Sequence, residues 1–330
     1  MSRKLITIST IMTLMSTSVI ADVPNVAADI APIHSLVSRV MDGVGAPKLI
    51  VQSGASPHGY RLRPSEAKAL QDADHVFWMG EELTPWLDSA IGTLASKASV
   101  TTLLDQQGVI LHDFREGALF EAHDHSAHGD DDHDDHDDHD DHDDHKDHDD
   151  HDDHDDHDDH GSHDPHAWLS PENAKLWLNI IASKLSVSDP ENAATYFMNA
   201  AAGQAEIEAM IAEVKATLKP VQGGKFVVFH DAYQYFENDF DFYASGAISL
   251  SDSSDPSPAR IEKVQKRIRD EGIQCVLAEP QFKKGLVATV MEGSDATASV
   301  IDPLGTELET GPKLYTQLIE NMAKTLRNCL

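Results

Sequence analysis

One low-complexity segment divides the chain and limits what can fold. Residues 121–165 hold 22 Asp and 14 of the 20 His, and from His133 to His160 a His recurs at every third position, almost always followed by two Asp. Such a segment has almost no apolar side chain, so it cannot bury enough surface to offset the entropy lost in folding. We therefore expect a disordered loop over about residues 121–163, with the fold built from the sequence on either side.

The same tract carries most of the charge and points to metal. Its 22 Asp and one Glu against one Lys account for −22 of the net −32, which excludes nucleic acid as a partner. Imidazole and carboxylate groups at this density bind zinc weakly and exchangeably. The alternative is a solvated charge run that only raises solubility. The histidines predicted to hold additional zinc are His133, His136, His139, His142, His145, His148, His151, His154, His157 and His160.

The first 21 residues have the three parts of a secretory signal. Arg3 and Lys4 form a positive start, residues 5–20 are mostly apolar, and small or apolar residues precede a cleavage site after Ala21. The apolar stretch is about 16 residues long, whereas a membrane-spanning helix needs about 20. A cleaved signal is therefore favoured over a membrane anchor, and the mature chain is expected outside the cytoplasm.

The chain has two cysteines, Cys275 and Cys329. In an oxidising compartment such a pair forms a disulfide by default. Without the close spacing of a thiolate zinc site, the pair is predicted to have a structural role, pinning the last helix to its lobe.

The remaining sequence alternates predicted strands and helices, which indicates mostly parallel sheets flanked by helices. In the first part, strands are predicted at 25–28, 49–52, 75–79 and 100–103 and helices at 33–41, 64–71, 85–96 and 168–185. A long helix follows at 191–219. The second part has predicted strands at 225–229, 273–278 and 299–301 and helices at 257–271, 286–291 and 313–328.

The predicted fold class is α/β, with two lobes joined by one long rigid linker helix. The predicted boundaries are a signal peptide at 1–21, a first lobe at 22–189, the linker helix at 190–219 and a second lobe at 220–330. A helix of that length reaches roughly 40 Å, which is long for a chain of this size and is typical of a connection between lobes.

Four possible metal ligands lie at or just after the ends of predicted elements. His58 follows the second strand, His166 precedes a helix, and His230 and Asp302 each come directly after a strand of the second part. In α/β folds ligands bind beyond the carboxyl ends of strands, so the four are expected to meet in the cleft between the lobes. Three imidazoles and one carboxylate suit zinc. The alternative is that each is an ordinary hydrogen-bonded loop residue, as we expect for His34, His75 and His112.

Four segments resemble the signature segments of the metal-specific solute-binding proteins, the periplasmic receptors of ATP-driven (ABC) metal importers. They are ASPHGYRLRPS at 55–65, DPHAWLSP at 164–171, FHDAY at 229–233 and DPLG at 302–305, in the order that the family has them. The resemblance covers essentially the whole mature chain and favours the zinc type. It implies two α/β lobes bridged by one rigid helix, with the metal at their interface.

The resemblance also implies the ligands. His58, His166 and His230 match the family's three zinc histidines, and Asp302 matches a carboxylate that is a ligand in some members and distant in others. Manganese-type relatives usually have Glu at the position of His230. This chain departs from some zinc receptors at Pro57, where they have an acidic residue, so Asp302 or a water is expected as the fourth ligand.

These implications define the expected function. A monomeric, non-enzymatic periplasmic receptor would capture Zn²⁺ and deliver it to an ABC-type inner-membrane permease with its cytoplasmic ATPase. The alternatives are a periplasmic zinc buffer or chaperone without a permease, and a manganese-type receptor of the same family. A zinc hydrolase using Glu279 or Asp231 as general acid or base is disfavoured, because the long helix and the Asp/His tract have no hydrolytic role.

Overall fold

The computed structural model describes residues 23–115, 120, 163–249, 256–281 and 284–330. The signal segment with its cleavage site after Ala21 and the ten periodic histidines from His133 to His160 lie outside the described residues, so the expectations about them stay predictions. Within the described part, no helix combines the length and apolarity that crossing a membrane requires.

The first lobe is built on a parallel four-stranded sheet whose order is β2-β1-β3-β4. The side chains of β1 alternate between the two faces of the sheet. Ala27 packs in the hydrophobic core on the outer face, and Val26 and Ala28 pack in the core on the inner face. Burial on both faces is usual for a parallel sheet. The elements are β1 Val26–Ala28, α1 Ala31–Val40, β2 Lys48–Leu49, α2 Pro64–Gln71, β3 His75–Trp78, α3 Pro85–Leu94 and β4 Ser99–Thr102.

The second lobe repeats this topology with the order β6-β5-β7-β8, again all parallel. Val227 and Phe229 of β5 pack outward, while Phe226 and Val228 face the inner core. The elements are β5 Phe226–His230, α6 Gln234–Phe240, β6 Ala247–Ser249, α7 Pro258–Glu271, β7 Cys275–Ala278, α8 Lys284–Met291, β8 Thr297–Val300 and α9 Leu314–Cys329. The predicted class of two parallel-sheet lobes flanked by helices is confirmed.

Two long helices connect the sheets: α4 Pro171–Ser188 and α5 Ala193–Leu218. The 26 residues of α5 extend for about 39 Å. The helix packs against α4 and α1 of the first lobe and against α9 of the second. Its buried positions form one stripe at spacings of three and four, which are Tyr196, Ala200, Gly203, Ile207, Met210, Val214 and Leu218.

Gly203 lies where α5 packs closely against side chains of α1 and α4. A Cβ atom built there would lie 3.0 Å from side-chain atoms of both Arg39 and Leu178. A larger residue would require these two side chains to shift, so the glycine permits the tight packing of α5 at this point.

The ends of several elements differ from the prediction, for local reasons. The helix predicted to begin at Trp168 begins at Pro171, because the Ser170 side chain accepts a hydrogen bond from the Asn173 amide and caps it. The predicted helix over 191–219 begins at Ala193, after a short 3₁₀ turn that Asp189 caps. The strand predicted at 49–52 is only Lys48–Leu49, and the one at 299–301 is Thr297–Val300. No periodic pattern in the sequence marks α6 and β6, because both elements are too short to show one.

The predicted disulfide is confirmed. Cys275 opens β7 and Cys329 ends α9, with their Cα atoms 5.6 Å apart, so the bridge fastens the last helix to the second sheet. The bond closes a loop with a sequence separation of 54 residues.

We expect the double variant Cys275→Ala/Cys329→Ala to lose about 4 kcal/mol of unfolding free energy, because the unfolded chain regains the entropy of that loop. Urea unfolding of the metal-free protein measures the loss, with chemically reduced wild-type protein as the matched control. A loss below about 1 kcal/mol in both samples contradicts the expectation.

Candidate metal centre

Three imidazoles drawn from distant parts of the sequence converge on one point. The ligand-type nitrogens of His58, His166 and His230 all lie within 4.8 Å of one another. Ring centroids are 5.5 Å apart for His58 and His166 and 5.2 Å apart for His166 and His230. The rings of His166 and His230 are buried and His58 is half-buried. Among the described residues, these three form the cluster of ligand-type side chains that could hold a metal ion.

The spacing of the nitrogens suits a tetrahedral ion. The Nε2 atoms of His166 and His230 lie 3.4 Å apart. Two nitrogens bound at about 2.0–2.1 Å to a tetrahedral zinc ion are separated by about 3.3–3.4 Å. The nitrogens of His166 and His230 therefore lie at the spacing that one small cation requires, and the ligand nitrogen of His58 lies within 4.8 Å of both.

Two carboxylates fix how the rings face the centre. Asp164 lies 2.6 Å from Nδ1 of His166, and Glu279 lies 2.5 Å from Nδ1 of His230. A carboxylate can only accept, so each Nδ1 carries the proton and donates, and each Nε2 offers its lone pair to the centre. All four groups are buried. Neither carboxylate was predicted to orient a histidine. The available signal was the position of Asp164, which precedes His166 by two residues within a signature segment.

The loop that carries His58 is fastened to the first lobe on both sides. The indole of Trp86 donates to the Pro57 carbonyl at 2.7 Å, directly before His58. Tyr60, two residues after it, donates to the buried Glu66 carboxylate at 2.8 Å. These bonds hold the half-exposed histidine toward the two buried ones.

Asp302 lies on the loop after β8, but the structure does not bring its carboxylate into the histidine cluster. One oxygen accepts from the amides of Leu304 and Gly305 at 3.0 and 2.9 Å, and the other accepts from the amide and hydroxyl of Thr306. The neighbouring Pro303 lines the cavity between the rings and its carbonyl accepts from the Trp168 indole at 2.8 Å. The assignment of Asp302 as a fourth ligand stays a prediction.

A buried ion-pair network lies beside the centre. Arg115 donates to both Asp231 and Glu237, and its guanidinium stacks 3.6 Å above the Phe120 ring. Burial raises the pKa of the Asp231 and Glu237 carboxyls, and the bonds from Arg115 oppose that rise. Asp231 directly follows His230, so Arg115, from the first half of the chain, is tied to the segment that carries a candidate ligand. No sequence pattern marked Arg115.

The segments that flank the Asp/His tract are fastened to each other and to α6. Asp113 and His163 form an antiparallel bridge, with the His163 ring 2.8 Å from the Asp113 carboxylate. The amide of Asp164 donates to the His112 carbonyl at 2.7 Å. Tyr235 of α6 donates its hydroxyl to the Asp164 carbonyl at 2.6 Å. The described residues on either side of the tract are therefore held next to His166.

The other candidate histidines are hydrogen-bonded outside the cluster, as predicted. His34 lies 3.2 Å from the Pro47 carbonyl, His75 lies 2.6 Å from the Ser188 hydroxyl, and His112 lies 3.3 Å from the Asn238 amide. Burial lowers the pKa of both His34 and His75, which keeps them neutral.

Comparisons with known proteins identify the family of the chain. The family model described as "ZnuA: Zinc-uptake complex component A periplasmic" matches residues 26–329. Over 305 residues, 92% of this chain and 91% of the relative, the chain is 49% identical to the high-affinity zinc uptake system protein ZnuA of Brucella abortus (strain 2308). It is 45% identical over 311 residues to the protein of that name from Paracoccus denitrificans (strain Pd 1222), covering 94% of this chain and 93% of the relative.

Two solved structures share the fold. A crystal structure of ZnuA superposes with a TM-score of 0.68 at 20% identity, covering 92% of this chain and 100% of the other. The laminin-binding adhesin (Lmb) of Streptococcus agalactiae gives a TM-score of 0.70 at 20% identity, covering 93% and 99%.

We expect Arg115→Met to lower the unfolding free energy by about 3–5 kcal/mol, because it leaves two carboxylates buried without their cation. Urea unfolding of the metal-free protein measures the change. The matched control is Arg269→Met on the exposed face of α7, which is expected to change it by no more than about 0.5 kcal/mol. Equal losses in the two variants would show that the network does not stabilise the fold.

Proposed function

The chain belongs to the ZnuA family of periplasmic zinc-uptake components, and we propose that it captures one Zn²⁺ ion between His58, His166 and His230 and delivers it to an ABC-type membrane permease. The observation that carries the proposal is the convergence of three imidazole nitrogens, two of them oriented by buried carboxylates. The proposed place of action is the periplasm, after cleavage behind Ala21.

The donor set favours zinc over manganese. Imidazole nitrogen is a good ligand for zinc, whereas manganese prefers carboxylate and water oxygen. The position where manganese-type relatives carry Glu is His230 here, and its ring belongs to the cluster. The proposed ligands are the three histidine nitrogens and a fourth ligand that is a water or Asp302. The hydrogen bonds that Asp302 accepts within its own turn favour the water.

Metal binding would link the two lobes. His58 and His166 belong to the proposed first lobe, 22–189, and His230 ends a strand of the proposed second lobe, 220–330. An ion bound by all three stabilises the arrangement in which they meet, by an amount set by its concentration and affinity. We propose that this arrangement is the one the permease recognises, with the helix over 190–219 limiting how far the lobes can separate.

The Asp/His tract is proposed to hold additional zinc weakly. The described residues on either side of it are held beside His166, so ions bound along it would be released close to the centre. Loosely held zinc could be handed to the three-histidine site or could report zinc abundance.

Hydrolysis is not supported by the two carboxylates that could have served as general acid or base. Glu279 is bound to His230 and Gln281, and Asp231 is bound to Arg115. Three histidines and a water would also form a catalytic zinc site, but such a site needs an acid or base that is available to a substrate.

The first test replaces each ligand in turn, in a chain lacking residues 130–160 so that only the tight site is measured. We expect His58→Ala, His166→Ala and His230→Ala each to weaken zinc retention by more than about 100-fold, beyond what loss of an orienting partner costs. Competition with a chromogenic chelator measures the affinity. His34→Gln, outside the cluster, serves as the matched control and is expected to retain zinc as the parent does. Retention in the triple variant refutes the proposed site.

Growth under zinc chelation separates a receptor from a buffer. In a strain lacking this chain, the wild-type sequence should restore growth only when the permease is present. The triple variant His58→Ala/His166→Ala/His230→Ala should not restore growth. Restoration without the permease would favour the buffer or chaperone.

A second prediction concerns the tract. Deleting residues 130–160 should remove the weakly bound zinc and leave the affinity of the tight site within about twofold, because Asp113 and His163 already hold the ends together. Isothermal titration counts both classes of ion. The matched control keeps the tract length and its Asp residues but changes the ten histidines to Gln, and should lose the same weak sites. Loss of the tight site on deletion contradicts the modular arrangement.

A further inference from the structure

Four buried side-chain atoms have no hydrogen-bond partner among the described residues: His75 Nδ1, Thr101 Oγ1, the Tyr233 hydroxyl and Gln281 Oε1. Buried polar groups are nearly always paired, so each exception calls for an explanation. Gln281 differs from the other three because its side chain lines the cavity between the three imidazoles, together with His58, His166 and His230.

The orientation of the Gln281 amide follows from its neighbour. Its nitrogen lies 2.7 Å from one oxygen of Glu279, whose other oxygen accepts the Nδ1 proton of His230. A carboxylate has no proton to donate, so the amide nitrogen must face Glu279. The amide oxygen is thereby left as an acceptor that none of the described residues satisfies.

We propose that Gln281 Oε1 accepts a hydrogen bond from a water molecule that occupies the fourth coordination position of the bound ion. This inference rests on the proposed function, since it needs an ion held by the three histidines. A water bound through its lone pair offers two protons and requires acceptors. The three ring nitrogens cannot accept, because they bind the ion, and both oxygens of Asp302 already accept from their own turn.

The same arrangement gives Glu279 a second effect. One carboxylate orients both the His230 ring and the Gln281 amide, so it fixes a nitrogen ligand and the acceptor for the water together. Gln281 is thus a positioning residue for the oxygen ligand, and it favours a four-coordinate ion with three nitrogens and one water.

The test uses Gln281→Met, which keeps the side-chain length and removes the acceptor, in the chain lacking residues 130–160. We expect zinc retention to weaken by about 10–100-fold in chelator competition, as is typical when a group supporting a metal ligand is removed. Gln265→Met is the matched control, because that amide donates to the Thr289 carbonyl on the outside of the second lobe. An affinity within twofold of the parent overturns the inference.

Cobalt gives a direct view of the oxygen ligand. In Co²⁺-loaded wild-type protein we expect ¹⁷O-enriched water to broaden the electron paramagnetic resonance signal, and we expect Gln281→Met, but not Gln265→Met, to shift the visible d–d absorption. Absence of broadening in the wild type overturns the inference. The proposed function is judged separately, by whether the wild type binds one tight zinc that the histidine substitutions remove.

Discussion

The hydrogen bonds that His166 donates to Asp164 and that His230 donates to Glu279 are the constraint on which the centre depends. Without them either ring nitrogen could carry the proton, and two Nε2 lone pairs would have little reason to face each other at 3.4 Å. Asp164 precedes His166 by two residues, and Glu279 follows β7, the neighbour of the strand that His230 ends. Both histidines are therefore held in their binding form by carboxylates fixed close to them in the fold.

The fold could be predicted from the sequence because its strands and helices alternate and its outer helices have clear apolar faces. His58, His166 and His230 were predicted from their positions at the ends of elements together with the resemblance of their segments to the family. The sequence left open whether Asp302 binds metal or is an ordinary turn residue, and in the structure its carboxylate accepts from the amides of Leu304 and Gly305.

Contacts between distant residues were also beyond prediction. Arg115 meets Asp231 across 116 positions of sequence, and nothing local to either residue marks the other. Likewise, the length of α5 was evident, but not that it packs against α1, α4 and α9. The helix belongs to a core that both lobes share, so separating the lobes would expose apolar surface along it.

The pairing of Asp113 with His163 has a consequence for how this chain can vary. A loop whose two ends are fixed by the fold closes at a cost that rises only with the logarithm of its length, about 0.6 kcal/mol for each doubling. Triplets of His-Asp-Asp could therefore be gained or lost by slippage during replication with little penalty to folding. The number of His-Asp-Asp repeats is then free to change while the three-histidine centre stays unchanged.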